Sequence, residues 1–517
     1  MMERRGGGRV NSVFTVIETN RIGSASGDAI MKRLLLLGLV VICAWANSLS
    51  AATPPNLIIF IADDFSYYDL HCWGSPDART PNLDKLASEG MKLTRCYTPA
   101  PVCSPTRMAL YSGLYPIKNG GYPNHSAVKP GTKSMVHFLK PLGYRVGIVG
   151  KTMIAPKESF PFDEPQSKSA AAKQEKAWKK KGEKQDADEE GADADLDFAA
   201  IQTYMTQDKA QPFCLVVASH QPHGPWNKGD ASAYKADKLT IPPYLVDTPE
   251  LREERTHHLA EVTYLDDEVG RVMKLLKKSG QEENTLFLFL SEQGSGFPGG
   301  KYNLYDIGIR SAAIARWPGK IKAGSESAAI SSYVDVVPTF IDAAGGKPVP
   351  CLDGRSFLGV LTGQTEHHLD YVFAQSTSLG VKGVTHPYGI RAVRDDRYKY
   401  ILNLNHENEF PCSHAAHKEN SAWAKLAKTD ATARERLERF LHRPEVELYD
   451  LKSDPWEQKN IASDPAQGKT LARLRQQLDT WMLEQGDHGA ATEMEAGKHL
   501  KKALKANKTK GEGAKKT

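Results

Sequence analysis

Short apolar runs alternate with amphipathic segments along most of the chain. Four continuous apolar runs have the length and composition of strands buried on both faces, at residues 56–62, 144–149, 213–218 and 285–290. Amphipathic segments between them predict helices at residues 81–90, 133–142 and 259–278. This alternation predicts an α/β fold with a mostly parallel sheet sandwiched by helices.

Polar residues able to bind a metal ion or an anion follow each of the four apolar runs. They are Asp63, Asp64, Lys151, His220, His223, Glu292 and Gln293. In open α/β sheets, ligands bind beyond the carboxyl ends of the strands. We therefore expect these side chains to converge on one crevice, although they are far apart in sequence.

The pattern changes at about residue 370. Short runs typical of antiparallel strands follow at 371–375, 389–393, 398–404 and 447–451, and an amphipathic segment at 470–484 predicts a helix. We therefore predict a main domain over residues 53–369 and a smaller C-terminal domain over 370–490. Residues from about 167 to 195 are rich in Lys and Ala, then in Asp and Glu, and predict an exposed insertion in the main domain.

The N-terminal segment has the organisation of a signal peptide. Met31-Lys32-Arg33 precedes an apolar run at 34–45, which is too short to span a bilayer, and small residues follow at 47–52. We interpret residues 31–52 as a signal peptide and 1–30 as a leader that is not native, the alternative being a long natural n-region. The protein is thus expected to be periplasmic or secreted, with no membrane span.

The formal net charge of +5 resides in the C-terminal tail. Residues 498–517 contain eight Lys and one Glu, a net charge of +7 that leaves about −2 for the rest of the chain. We interpret residues 491–517 as a basic, disordered tail. No nucleic-acid partner is expected, the alternative being that the tail binds nucleic acid or an anionic surface. The seven Cys residues show no Cys-x-x-Cys or zinc spacing.

One cysteine stands in a setting that suits a reactive group. In the run Cys103-Ser104-Pro105-Thr106-Arg107, Pro105 suits the first turn of a helix. Cys103 would then lie at a helix N-terminus, where backbone N–H groups favour negative charge. The alternative interpretation is a buried structural thiol.

The run Cys103-x-Pro105-x-Arg107, with Leu110 and Gly113 after it, resembles the signature of the formylglycine-dependent sulfatases. The same order of motifs continues through Asp63-Asp64, Gly150-Lys151, Pro222-His223 and the segment 292–301, so the resemblance spans residues 56 to about 487. It implies an alkaline-phosphatase-like fold and a hydrolase that removes sulfate groups. It also implies that a formylglycine-generating enzyme oxidises Cys103 to an aldehyde, whose hydrate attacks sulfur through one hydroxyl and releases sulfate through the other.

The resemblance assigns roles to further residues. One calcium ion is implied, bound by oxygen donors of Asp63, Asp64, modified Cys103, Glu292 and Gln293. The last two replace the family's Asp-Asn pair, and each is longer by one methylene. The implied catalytic residues are Arg107 at the formylglycine hydroxyls, Lys151 and Lys301 at the sulfate oxygens, and His223 as general acid. His125 and His220 are expected to contact substrate.

Segments 150–163, 219–223 and 297–305 are similar to the heparan N-sulfatase (sulfamidase) branch of the family, which implies a sulfated carbohydrate as substrate, carrying an O-sulfate or an N-sulfate. The chain departs from the family pattern at Met153, where a His usually stands and accepts the proton that lets the sulfate intermediate collapse. Either another base such as His125 or His220 substitutes, or turnover is slow, or the protein is a non-catalytic relative that binds sulfated glycans. A phosphatase or phosphonate hydrolase of the same superfold is a further alternative, because sulfate and phosphate monoesters are alike in shape.

Overall fold

The computed structural model describes residues 53–167, 195–379, 384, 386–411 and 421–500. The described residues from Pro54 onward belong to one compact unit. Residues 1–52, interpreted above as leader and signal peptide, lie outside the described residues, as do 168–194 of the predicted insertion and 501–517 of the predicted tail.

The described chain contains thirteen strands and twelve α-helices with named bounds. Strands β1–β13 are, in order, Asn56–Ala62, Met91–Leu93, Cys96–Tyr97, Arg145–Gly150, Phe213–Ala218, Thr285–Ser291, Ala313–Arg316, Ser325–Ser327, Ser331–Ser332, Val372–Ser376, Ile390–Arg394, Tyr398–Asn403 and Val446–Asp450. Helices α1–α12 are Pro81–Glu89, Cys103–Ser112, Pro116–Asn119, Met135–Leu139, Phe198–Thr206, Pro249–Ser279, Asp306–Ile309, Val336–Ala343, Leu358–Leu361, Ala422–Ala427, Ala431–Leu441 and Gly468–Gln485.

A seven-stranded sheet has the order β4-β5-β1-β6-β7-β2-β8. The four strands predicted from the apolar runs are adjacent and parallel to one another, and only β7 pairs antiparallel with β6 and β2. The predicted mostly parallel sheet is therefore confirmed. All residues of β1, β5 and β6 are buried, as the absence of polar alternation in their sequences predicts.

Helices cover both faces of this sheet, as predicted. Alternate residues of β1 point to opposite sides: Leu57, Ile59 and Ile61 pack into a cluster with side chains of α2, α4 and α8, and Ile58 and Phe60 pack into a second cluster with side chains of α1, α5 and α6. The sheet thus has a separate hydrophobic core on each face.

A four-stranded antiparallel sheet, β10-β11-β12-β13, follows in the C-terminal part. Leu474, Leu478 and Trp481 of α12 pack with Tyr400 and Leu448 on one side of it. The predicted antiparallel sheet with one packed helix is therefore confirmed as part of the fold. Tyr97, Leu304 and Ile309 of the main part join a cluster with Ile390 and Ile401 of the C-terminal sheet, so side chains from both parts form a common core.

Helix boundaries differ from the prediction in three places. Helix α6 begins at Pro249 instead of 259, because Thr248 caps it by accepting a hydrogen bond from Leu251 N at 3.1 Å. The sequence did not predict this first part, because the charged residues between 249 and 259 show no apolar period. The helix predicted at 133–142 is α4 followed by a 3-10 turn at Lys140–Leu142, where Pro141 cannot continue α-helical hydrogen bonding.

The third difference concerns the tail. Residues 490–500 are helical, with Glu493 and Ala496 buried, so the prediction of disorder from residue 491 is wrong for residues 491–500. The sequence there is polar overall, but tertiary contacts bury one side of the helix. Among the described residues, no helix combines the length and the apolar character needed to cross a membrane.

Candidate active site

The predicted strand-end residues converge at one edge of the large sheet. Asp63 and Asp64 follow β1, and its neighbours β5 and β6 supply the segments on either side. Asp63 N donates to Gln221 O at 2.9 Å, and Glu292 N donates to Ala62 O at 2.7 Å. Strands β5 and β6 lie on opposite sides of β1, so the strand order reverses there. In open α/β sheets, ligands bind at such a topological switch point.

Four buried side chains at this edge could hold a metal ion. Asp63, Asp64, Cys103 and Glu292 each offer one ligand atom, and these atoms lie within 4.8 Å of one another. Cys103 Sγ is 3.9 Å from Asp63 Oδ1 and 3.9 Å from Gln293 Nε2. The cysteine singled out from sequence therefore lies within the cluster formed by the strand ends.

Asp64 adopts a left-handed backbone conformation with φ of +56°, which Asp tolerates better than most residues. Its carboxylate accepts hydrogen bonds from Gln293 Nε2 at 2.5 Å and from Lys301 Nζ at 2.8 Å. His223 Nε2 lies 3.5 Å from the same carboxylate. Asp64 thus contacts residues from two other loops, the one after β5 and the one after β6.

Arg107 is buried among acidic groups. Its Nε donates to Glu292 Oε1 at 2.5 Å, its Nη1 donates to Lys151 O at 2.9 Å, and its Nη2 lies 3.8 Å from Asp63 Oδ1. Both partner carboxylates are fully buried, so the guanidinium offsets charge that water cannot solvate.

Lys151 enters the site because Gly150 allows a sharp turn at the end of β4. Gly150 has a φ of +97°, and a Cβ at this position would lie 2.0 Å from Ala218 O. Lys151 pairs with Asp63, and its Nζ is 3.8 Å from Cys103 Sγ. The site therefore contains two buried cations, Arg107 and Lys301, and the partly buried Lys151 around the acidic cluster.

The pKa values of the site follow from burial and from these pairs. Burial alone would raise the pKa of Asp63, but Lys151 and a hydrogen bond with Glu292 hold it well below its usual value. Burial raises the pKa of Glu292 above its usual value; Arg107 and Lys151 oppose this rise, and the nearby Asp63 adds to it. Burial and Glu292 raise the pKa of the Cys103 thiol to about 12, so the unmodified side chain is a neutral thiol at neutral pH.

The three predicted histidines occupy different environments. His223 Nδ1 lies 2.7 Å from Gly224 O, a carbonyl that can only accept, so Nδ1 carries the proton and Nε2 faces Asp64. Burial and the nearby Lys151 charge lower the pKa of His220 to about 4. His125 has a φ of +62°, and its Nε2 lies 2.9 Å from Asn124 Nδ2.

Asn124, which the sequence did not indicate as a site residue, supports the start of helix α2. Asn124 Oδ1 accepts a hydrogen bond from Ser104 N at 3.1 Å, and Val102 at the N-cap has no side chain that could do so. Asn is a common capping residue, but here it comes from a loop that follows the helix, so no local pattern indicates the contact. This bond fixes the backbone next to Cys103.

Met153 occupies a strained position close to the site. It is half-buried and has a φ of +49°, which is uncommon for a residue other than glycine. The structure thus places a thioether two residues after Lys151, where no proton can be accepted.

The donor set suits a hard cation. Carboxylate and amide oxygens are the ligands that Ca²⁺ prefers, and Asp63, Asp64 and Glu292 supply carboxylates. Gln293 Oε1 is buried and accepts no hydrogen bond from the described residues. An unpaired oxygen beside three carboxylates indicates that a cation fits here.

Comparisons with known proteins agree with this geometry. Residues 55–346 match the sulfatase family model, and residues 300–415 match the C-terminal model of N-sulphoglucosamine sulphohydrolase. An ulvan-active sulfatase of Formosa agariphila is 30% identical over 456 residues, covering 85% of this chain and 82% of that protein. Human N-sulphoglucosamine sulphohydrolase is 27% identical over 481 residues, covering 85% and 92%.

Solved structures share the fold. A protein in complex with its substrate D-glucosamine-2-N,6-O-disulfate superposes with a TM-score of 0.62 at 20% identity, covering 84% of this chain and 99% of that chain. A phosphonate monoester hydrolase of Agrobacterium radiobacter gives a TM-score of 0.64 at 19% identity, covering 84% and 97%. At this level of identity the two likenesses concern the alkaline-phosphatase-like fold alone.

Proposed function

The chain belongs to the sulfatase family of sulfuric ester hydrolases, and we propose that it removes sulfate groups from sulfated carbohydrates with a formylglycine nucleophile made from Cys103 and one bound Ca²⁺ ion. One observation carries the proposal. Cys103 Sγ lies in a buried cluster with carboxylates of Asp63, Asp64 and Glu292 and is 3.8 Å from Lys151 Nζ. A nucleophile, a cation site and an anion-binding group therefore meet at one point.

Asp63, Asp64, residue 103, Glu292 and Gln293 would hold the calcium ion. A bound Ca²⁺ supplies positive charge that favours ionisation of a formylglycine hydroxyl, and formylglycine supplies the second hydroxyl needed to release sulfate without attack by water. The neutral thiol of unmodified Cys103 is consistent with a need for this modification.

The charged residues of the chain bind the sulfate and its developing charge. Lys151 and Lys301 supply ammonium groups for sulfate oxygens, and Arg107 orients the side chain of residue 103. His223 keeps Nδ1 on Gly224 O, so its Nε2 points into the site and, when the ring carries a proton on both nitrogens, can donate one to the leaving group. His125 and His220 would contact the sugar.

The substrate class comes from the relatives. One is an ulvan-active sulfatase and another is an N-sulphoglucosamine sulphohydrolase, and these names point to ulvan and to N-sulphoglucosamine. We take a sulfated carbohydrate, with an O-sulfate or an N-sulfate, as the substrate. The signal-peptide pattern at residues 31–52 supports export to the periplasm or the medium.

The modification can be tested directly. Trypsin would cut after Arg95 and Arg107 and release peptide 96–107, which carries Cys96 as an internal thiol control. From a host with a formylglycine-generating enzyme, tandem mass spectrometry should find the aldehyde at position 103 and a thiol at 96. Sulfate release from defined sulfated saccharides should vanish in Cys103→Ala. Finding an unmodified thiol at 103 in an active preparation would refute the proposed nucleophile.

Metal removal tests the cation site. Dialysis against a calcium chelator should abolish sulfate release and lower the melting temperature, because the folded protein loses a ligand bound by three buried carboxylates. Adding Ca²⁺ back should restore both, whereas Gln293→Ala should need a higher Ca²⁺ concentration for half-recovery. Full activity after chelation would exclude the metal role.

Met153 favours one alternative, a relative that binds sulfated glycans without cleaving them. This alternative predicts glycan binding with no sulfate release by the formylglycine form. Turnover that depends on Cys103 would exclude it. A second alternative is a phosphatase or phosphonate hydrolase of the same fold. The same assay with phosphate monoesters and phosphonate esters tests it, and faster hydrolysis of these esters than of sulfated saccharides would favour it.

A further inference from the structure

Three consecutive residues after Lys301 are held by the C-terminal part of the chain. Ser376 on β10 and Lys399 on β12 bond to Tyr302 and Leu304, and Arg443, in the connection before β13, bonds to Asn303. We infer that the C-terminal sheet, together with the connection that carries Arg443, positions the Lys301 ammonium for sulfate binding, with Arg443 and Ser376 as positioning residues. The inference rests on the proposed role of Lys301 in sulfate release.

The path from Arg443 to Lys301 has two hydrogen bonds. The Arg443 guanidinium donates to Asn303 Oδ1, and Asn303 Nδ2 donates to Lys301 O at 3.0 Å. Arg443 and Asn303 are 3% and 0% exposed, so water cannot replace either bond. The guanidinium also packs 3.9 Å from the ring centroid of Phe410, which limits its movement.

Tyr302 links the same loop to the nucleophile. Its backbone has a φ of +70°, its O accepts a hydrogen bond from Ser376 Oγ at 2.8 Å, and its N donates to Pro101 O at 2.8 Å. Pro101 is two residues before Cys103. Strand β10, which ends at Ser376, therefore fixes the spacing between the Lys301 loop and the segment that carries Cys103.

A buried ion network completes the attachment. Lys399 Nζ donates to Leu304 O at 3.0 Å and pairs with Asp306 at 2.5 Å and with Glu457 at 2.9 Å. Glu457 also accepts a hydrogen bond from Asp306 N at 2.5 Å. Because each buried charge in this network has a partner, displacing the loop would leave charges unpaired.

Such anchoring matters for a lysine because its ammonium is a point charge on a flexible stem. In the structure Lys301 Nζ bonds to Asp64 at 2.8 Å, and the loop backbone determines where the stem begins. Misplacing a group that acts on the transition state by about 1 Å costs on the order of 100-fold in rate. The C-terminal sheet thus contributes to catalysis without touching substrate.

The test is a double-mutant cycle with Arg443→Met and Lys301→Ala, assayed as sulfate release below the melting temperature of every variant. Arg443→Met should lower kcat/KM roughly 10- to 100-fold in the wild-type background and have little effect when Lys301 is already Ala. Ser376→Ala should show the same non-additivity with a smaller loss. It removes a single hydroxyl, so it remains informative if Arg443→Met does not fold.

Arg316→Met is the matched control. Arg316 lies on β7 opposite Phe287, near the start of β6, and pairs with Glu89 and Glu282, whereas the site lies beyond the end of β6. It should lower the melting temperature with little change in kcat/KM. Hydrogen exchange gives a readout besides activity: peptides covering residues 301–304 should exchange faster in Arg443→Met and not in Arg316→Met.

The outcomes distinguish the positioning role from the proposed function. If the fold losses in kcat/KM of the two single variants multiply in the double variant, or if the exchange rate at 301–304 is unchanged, the positioning role is overturned and the proposed function stays intact. Absence of sulfate release from the wild-type formylglycine form would overturn the proposed function, and with it the role of the loop in catalysis.

Discussion

At the scale of single residues, Arg107 shows how the site balances buried charge. Its guanidinium lies between Glu292, at 2.5 Å, and Asp63, at 3.8 Å, and all three side chains are fully buried. Removing one member of such a set leaves a buried charge without a partner. This lowers the free energy of unfolding more than the loss of an exposed ion pair does.

We therefore predict that Arg107→Met lowers the free energy of unfolding by about 3–5 kcal/mol, measured by denaturant titration. The control is Arg397→Met, which removes an exposed guanidinium paired with Asp450 and should lower the free energy of unfolding far less. Equal losses in the two variants would show that the buried charges are not coupled in this way.

Glu268 provides a pH-dependent contribution to stability. It is 2% exposed, and burial raises its pKa to about 7, even though Ser219 Oγ donates to it at 2.6 Å. Because the folded-state pKa lies above the unfolded value of about 4.3, the folded protein binds the extra proton and loses stability as pH rises through this interval.

Glu268→Gln removes that proton uptake and keeps an acceptor for Ser219. Relative to wild type, the variant should gain stability between pH 5 and pH 8, by roughly 2–3 kcal/mol at the upper end. Denaturant titrations across this pH range measure the difference. Glu253→Gln, on the exposed side of the same helix, is the control, and a flat difference for Glu268→Gln would contradict the assignment.

At the scale of elements, the start of helix α2 depends on a residue outside it. The helix has no side-chain cap at Val102, and Asn124 Oδ1 bonds to Ser104 N at 3.1 Å instead. Asn124 also contacts His125, which we expect to face substrate. A single loop therefore supports the backbone next to Cys103 and carries His125.

Asn124→Ala should lower the free energy of unfolding by about 1 kcal/mol and reduce kcat, because the backbone next to residue 103 loses its partner. Asp430→Ala removes a comparable cap, in which Asp430 Oδ1 accepts from Ala433 N at 2.7 Å at the start of α11. It should cost similar stability and leave kcat unchanged. Unchanged kcat in both variants would limit Asn124 to a structural role.

At the scale of the whole molecule, the two sheets share a hydrophobic core and a buried ion network. Tyr97, Leu304 and Ile309 pack in one cluster with Ile390 and Ile401, and Lys399 on β12 pairs with Asp306 of the main part. A domain boundary near residue 370 was predicted from the change in sequence pattern, but these contacts make independent folding of the two parts unfavourable.

We predict that residues 53–500 unfold in one calorimetric transition whose van't Hoff enthalpy equals the calorimetric enthalpy. A chain ending at residue 369 should lack a cooperative transition, because it exposes the apolar side of the shared core and leaves Asp306 without Lys399. Two separate transitions in the longer chain would show instead that the sheets are independent units.

The sequence by itself determined the elements and the chemical content of the site. Continuous apolar runs predicted β1, β4, β5 and β6 closely, because strands buried on both faces carry no polar alternation. Topology then predicted that the residues after these strands meet, since parallel strands end at the same edge of the sheet. Neither inference requires knowledge of side-chain contacts.

Only the tertiary structure decided how those residues pair and what supports them. Asn124 capping α2, Arg443 reaching Asn303 and the helix at residues 490–500 all depend on contacts between segments distant in sequence. Local periodicity cannot report such contacts, because it records which residues are buried and not which partner buries them. The position of Lys301 is one result: the family resemblance implied an anion-binding residue there, whereas contacts with the C-terminal part set its location.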